Sequence, residues 1–176
     1  MLPDRYDYFG LLKKSYRNTI EISNFATDIL RHGTFPIYPC EPIIRHGNAV
    51  DICKSMGMSD LSDKIRAALS SFNNKGYDTV AVICKDVNEA DAIRNALAME
   101  PTEYKLLKPG DDFVRGVLVL PIELSKGLEF DAVIVADASK NNYPLDDNYV
   151  KLLYVAATRA LHELSVVYEG DLTGLI

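Results

Sequence analysis

No apolar run in this sequence approaches the roughly 20 residues that a helix needs to cross a bilayer, so no membrane-spanning segment is expected. The polar, acidic amino terminus does not resemble a signal peptide. Positive charge is not in excess: Lys and Arg total 19, Asp and Glu total 25, and the formal net charge is -6. That balance offers no global nucleic-acid surface, so any contact with DNA or RNA falls to a local patch. Cysteine is sparse; Cys40, Cys53 and Cys84 form no CxxC pair and leave an odd thiol, which favours reduced, buried thiols in a cytoplasmic protein. His32, His46 and His162 are scattered, and no metal site is expected. A GxxxxGK[ST] loop is missing throughout, and with it the glycine-rich phosphate cradle and the Mg²⁺-binding hydroxyl that this motif supplies.

What is present is an ordinary globular composition, 48% hydrophobic and 25% charged over 176 residues. One α/β domain over residues 1–176 is the natural expectation, with residues 1–10 a loop or a cut edge. Asn18 as N-cap with Glu21 three positions on predicts a helix that buries Ile22, Phe25, Ala26 and Ile29 and ends at Gly33. Pro36, Pro39 and Pro42 exclude a long helix over residues 34–47, leaving an extended excursion with a short strand at Ile43-Ile44-Arg45. Leu61, Ile65, Ala68, Leu69 and Phe72 predict a second amphipathic helix from Ser59. Asp86 with Glu89 opens a third helix, burying Ala90, Ile93 and Leu97 and stopping at Pro101. A fourth is expected over residues 149–160, with Leu152 or Leu153, Ala156 or Ala157, and Ala160 inward. Strands are expected at 11–14, 79–84, 104–107, 117–120, 132–136 and 164–168. Strands alternating with helices give a doubly wound, mostly parallel sheet with helices on both faces.

The organising stretch is Ser125-Lys126-Gly127-Leu128-Glu129-Phe130-Asp131, a polar turn between two short apolar runs of the kind that fill buried parallel strands. Open α/β sheets bind ligands at the carboxyl ends of their strands, so this turn is expected at that rim, joined there by Tyr16-Arg17 and by Arg159 on the last helix. Two arginines on separate elements can aim forked donors at a polyphosphate. Tyr16 can stack on a base, and Glu129 can accept hydrogen bonds from sugar hydroxyls. Without a phosphate loop, such a set makes half a nucleotide site.

Three stretches resemble one family. Ser15-Tyr16-Arg17-Asn18-Thr19 is similar to the fourth helicase motif of the UvrD/Rep/PcrA group, Ser125 to Phe130 to its fifth, and Leu152-Leu153-Tyr154-Val155-Ala156-Ala157-Thr158-Arg159-Ala160 to its sixth. The order is right, and the resemblance spans residues 11 to about 170. It implies the second RecA-like motor domain of a superfamily-one helicase: a P-loop NTPase fold without its own P-loop. At matching positions it implies Tyr16 on adenine, Glu129 on the ribose, Gly127 admitting close backbone approach, and Lys126 at phosphate or interdomain contacts. Arg17 and Arg159 are implied as arginine fingers on the γ-phosphate. ATP with Mg²⁺ would sit in a cleft shared with an amino-terminal RecA-like domain that brings the phosphate loop and the Mg²⁺ ligands, and DNA, single-stranded or duplex, would be the track.

The chain departs from that pattern where the fifth motif usually has Thr and His; here stand Pro121 and Glu123, and an acidic residue toward a nucleic-acid track repels phosphate. Asn148, Tyr149 and Val150 replace the charged residues that usually open the sixth motif. Leu120-Pro121 and the Ser125–Val135 stretch look most like the helicase-IV-like branch, whose members include motors that recycle RNA polymerase. The resemblance therefore also admits a non-catalytic module docking on RNA polymerase or a repair protein.

Overall fold

The structure, a computed structural model, describes residues 14–15, 17–37, 41–42, 45–97, 104–106 and 115–176, with the backbone alone at 14–15, 41–42 and 104–106. Two short strands, β1 (Lys14–Ser15) and β2 (Glu41–Pro42), form a parallel pair of their own. The main strands are β3 (Asp51–Ser55), β4 (Thr79–Cys84), β5 (Tyr104–Leu106), β6 (Gly116–Pro121), β7 (Phe130–Val135) and β8 (Ala160–Glu169). They lie in the order β3-β8-β7-β4-β6-β5, with every adjacent pair parallel. Among the described residues there are four α-helices: α1 (Ile20–Leu30), which precedes the main strands, and α2 (Met58–Asn74), α3 (Val87–Leu97) and α4 (Asp147–Ala157), which lie between them. This is the doubly wound α/β fold expected from the alternation.

Strand side chains point alternately to the two faces, and the two cores follow from it. On one face Ile22, Ala26 and Ile29 of α1 and Val150, Leu153 and Ala156 of α4 pack on Ala81, Ile83, Leu118, Leu120, Val133 and Val135. On the other, Leu61, Ile65, Leu69 and Phe72 of α2 and Ala90, Ile93 and Leu97 of α3 pack on Val80, Val82, Val119, Ala132 and Ile134. The central strands are apolar throughout because both their faces are covered.

Several local expectations are corrected. Thr19, not Asn18, caps α1, its hydroxyl accepting from the Ile22 N–H at 3.4 Å. Glu21 turns away from the cap to accept from the Gly47 N–H at 2.7 Å and to meet His46 Nδ1 at 3.0 Å, which together hold its carboxyl down at about 2. β3 was not expected at all: Asp-Ile-Cys-Lys-Ser has no apolar run because an edge strand needs none. The strand expected at Ile43-Ile44-Arg45 falls partly outside the described residues, and Arg45 itself is not in a strand. The last helix starts earlier, under the Asp146 cap, and ends at Ala157. Arg159 therefore stands in the turn before β8, not on the helix.

The connections divide the sheet. From β4 the chain leaves through α3 on one face toward β5 and β6; from β7 it leaves through α4 on the other face toward β8. The switch in direction falls between β4 and β7. Their carboxyl ends are joined by a polar network in which Asn142 Nδ2 donates to Glu89 Oε1 at 2.7 Å and to Asp137 Oδ2 at 3.0 Å, and the Lys85 N–H donates to Glu89 Oε2.

Burial pushes the Glu89 carboxyl up to about 7, against the Lys85 N–H, which favours its charged form, and with the Asp137 charge adding to the rise. A free glutamate titrates near about 4.3. Between those values the folded chain holds a proton that the unfolded chain has released, so stability falls as pH rises through this window and levels off above it. Urea midpoints measured across that range are expected to decline with pH, and Glu89→Gln to remove that slope whatever its absolute stability. An unchanged slope in the variant would place the titration elsewhere.

Candidate functional site

The stretch from Ser125 to Phe130 does not stay at one rim. β6 and β7 are parallel and flank β4, so residues 122–129 must travel from the carboxyl end of one to the amino end of the other. A 3₁₀ turn (Ile122–Ser125) starts the crossing. A type II turn follows, with the Leu128 N–H on the Ser125 carbonyl at 3.0 Å, Lys126 at φ -62 and ψ 125, and Gly127 at φ 79. The second central position of that turn requires a positive φ, which is why glycine stands there. Among the described residues other than its two chain neighbours, nothing lies within 4 Å of where a Gly127 side chain would begin, and both Lys126 and Gly127 face solvent. Glu129 then arrives at the amino end of β7. The expected carboxyl-end placement is thus corrected: Glu129 and Arg159 stand at the opposite rim, because each immediately precedes a strand.

Three of the expected residues meet there. Arg17 Nε lies 2.5 Å from Glu129 Oε1, with 47% and 39% of the two side chains exposed. An ion pair this exposed contributes about 0–1 kcal/mol, so it orients the groups more than it stabilises the fold. Arg159 is half-buried, its Nε donating to the Val155 carbonyl at 3.2 Å and its Nη1 to the Leu128 carbonyl at 3.1 Å. Burial and the nearby Arg17 charge lower its pKa, while Glu129 opposes them. A guanidinium nevertheless remains charged at neutral pH. Arg17 and Arg159 thus act on each other beside Glu129, an arrangement that an anion would relieve. Tyr16 lies outside the described residues.

Two residues that sequence reasoning missed hold this rim together. Asn18 is buried, and its Nδ2 donates to the Thr158 carbonyl at 3.1 Å and the Ala160 carbonyl at 2.5 Å, on either side of Arg159. One side chain thereby fixes the carrier of Arg17 to the carrier of Arg159. Arg45 Nη2 donates to the Arg17 carbonyl at 2.7 Å and the Leu161 carbonyl at 2.5 Å, and the Arg45 carbonyl accepts the Ile20 N–H at 3.0 Å. Asn18 reads as a helix cap in sequence, and Arg45 sits in a proline-rich stretch without period, so neither carried a signal of this role. Asn18→Ala leaves two carbonyls without their donor and is expected to cost about 1–3 kcal/mol in urea unfolding. A loss within error of zero would mean the clamp carries no load.

The family model of the UvrD-like helicase C-terminal domain matches residues 116–167, the span from β6 through Arg159 into β8. The solved C-terminal domain of a possible DNA helicase from Lactobacillus plantarum WCFS1 is 32% identical, with 92% of this chain and 91% of that chain covered at a TM-score of 0.76. The C-terminal part of the Fun30 ATPase domain (17% identity, 64% of this chain and 42% of that chain, TM-score 0.42) and the PRRSV helicase (15%, 89% and 23%, 0.43) superpose only loosely. No curated protein matches the sequence.

Proposed function

The chain belongs to the UvrD-like helicase C-terminal domains, and from that premise we propose that it is the second RecA-like motor domain of an ATP-driven DNA helicase or translocase. The reading rests on one observation: Arg17 and Arg159, 142 positions apart in the sequence (159 less 17), are clamped side by side with Glu129 at a single rim. In a sequence that lacks a phosphate loop, such a rim suits an ATP pocket whose other half lies on another domain.

In this reading Arg17 and Arg159 reach the terminal phosphate, where charge develops as the phosphoryl group transfers. Glu129 exchanges its weak pairing with Arg17 for ribose hydroxyls. Tyr16 lies against the adenine, and the open space above Gly127, beside Lys126, lets backbone and nucleotide approach. The first domain supplies the phosphate loop, the Mg²⁺ carboxylate and the group that orients water. DNA as the track follows from the relative described as a possible DNA helicase; the helicase-IV-like assignment rests on the sequence around Leu120 to Val135 alone.

The isolated chain is expected to show no ATP turnover and only weak ATP affinity, whereas a protein joining it to a P-loop-bearing first domain turns ATP over. Calorimetric titration of the chain alone checks this. Tight ATP binding or steady hydrolysis by the isolated chain would contradict a shared pocket.

A further inference from the structure

Residues 45–48 form a strap between the segments that carry the two arginines, and every residue of it is bonded outward. Arg45 Nη2 donates to the Arg17 carbonyl at 2.7 Å and to the Leu161 carbonyl at 2.5 Å. His46 Nδ1 lies 3.0 Å from Glu21 Oε1, and the Gly47 N–H donates to Glu21 Oε2 at 2.7 Å. Asn48 Nδ2 donates to Glu163 Oε1 at 2.6 Å, on a carboxylate that also takes Lys75 Nζ. Glu21 stands in the first turn of α1, just beyond Arg17; Leu161 and Glu163 stand at the start of β8, just beyond Arg159.

The place of the strap is closely set. A Cβ at Gly47 would stand 2.6 Å from Thr19 Cγ2 and 3.0 Å from Thr19 Cβ, and Thr19 is itself buried beneath the start of α1. The strap also borders a cavity of about 410 Å³ that Tyr77 and His162 share in lining, so few contacts besides these bonds hold it. The buried Arg45 Nε has no acceptor among the described residues, which leaves Nη2 to fix the guanidinium.

We propose that Arg45 is a positioning residue for ATP hydrolysis, an inference that rests on the shared-pocket reading. Asn18 joins the same two segments through the Thr158 and Ala160 carbonyls. A single point of attachment leaves two elements free to pivot about it. Arg45 adds the second point, binding the Arg17 carbonyl itself to the backbone just past Arg159. With both in place, the separation and relative orientation of the two guanidinium groups are set before nucleotide arrives. Arg45 touches no nucleotide in this scheme and acts through Arg17 and Arg159 alone.

The test is steady-state ATP turnover by a protein that joins this chain to a P-loop-bearing first domain, with thermal unfolding of every variant. Arg45→Met keeps the aliphatic stem and removes the donor. Its kcat is expected to fall about 10- to 100-fold, up to the effect of misplacing a catalytic group by about 1 Å. KM for ATP is expected to stay within about twofold, since the contacts disturbed are made in the transition state. Arg45→Lys is expected to recover most of the loss, because one nitrogen serves both carbonyls and an ammonium also carries several donors. Gly47→Ala presses the strap off Thr19 without removing a bond and is expected to lower kcat about threefold or more. Leu69→Ala opens a cavity in the core on the other face and is expected to lower Tm while leaving kcat within about twofold. Full kcat in Arg45→Met, or in Gly47→Ala if Arg45→Met does not fold, would overturn the proposal. So would a kcat loss that Leu69→Ala shares. Arg159→Ala separates this failure from failure of the pocket: impaired beside a fully active Arg45→Met, it removes the role of Arg45 alone; fully active, it removes the shared pocket and this role with it.

Discussion

Arg159→Ala, placed in a protein that joins this chain to a P-loop-bearing domain, is expected to lower ATP turnover by about 10³–10⁵, the effect of removing an arginine finger. The size follows from how the residue is held. Its Nε and Nη1 are tied to the Val155 and Leu128 carbonyls, and Asn18 grips the backbone on both sides. A cation fixed this way before the reaction stabilises developing charge without reorganising. Arg159→Lys should rescue little, since a point charge on a flexible stem cannot anchor to two carbonyls and also present a donor. If the arginine acts only in the transition state, kcat falls and kcat/KM falls with it. Arg17→Ala should have a smaller effect, because Arg17 is half exposed and its side chain is tied to Glu129. Turnover near wild type in Arg159→Ala, with the fold intact by thermal unfolding, would remove Arg159 from catalysis.

Phe130→Ala is expected to cost about 3–5 kcal/mol of stability, the range for emptying a fully buried aromatic site. Phe130 is inaccessible to solvent, opens β7, sits opposite Ala160 and donates its N–H to the Arg159 carbonyl at 3.0 Å. Its ring anchors the end of the crossing segment in the core shared by α1 and α4. A loss of that size is a large part of the about 5–15 kcal/mol that holds a domain folded, and should lower Tm by about 10 °C in a chain of this length. Phe130→Leu refills most of the volume and should cost far less. A loss below about 1 kcal/mol in Phe130→Ala would mean that the site collapses without leaving a cavity.

How much of this the sequence carried depended on burial. β4, β6 and β7 were plain because strands covered on both faces need apolar residues at every position. β3 was silent because Asp51, Ile52 and Lys54 lie exposed at the sheet edge, where neither period nor composition constrains them. Arg17, Glu129 and Arg159 were legible as motif residues, and the structure brings them together. Their rim was misjudged: a turn between apolar runs does not reveal by itself that the runs are parallel neighbours of a third strand. Once β6 and β7 are parallel, the crossing segment has to begin at one rim and end at the other. Asn18 and Arg45 act through partners more than a hundred positions away, on the far side of the chain. Such pairings leave no trace in local spacing.

The account stands most directly on where a nucleotide touches this chain. A structure of the chain joined to a P-loop-bearing first domain, with a non-hydrolysable ATP analogue bound, would locate it. The expected result has the guanidinium groups of Arg17 and Arg159 within hydrogen-bonding distance of the terminal phosphate and Glu129 at the ribose. A nucleotide seated instead at the carboxyl ends of β4 and β7, or held by the first domain with no contact to Arg159, would contradict it.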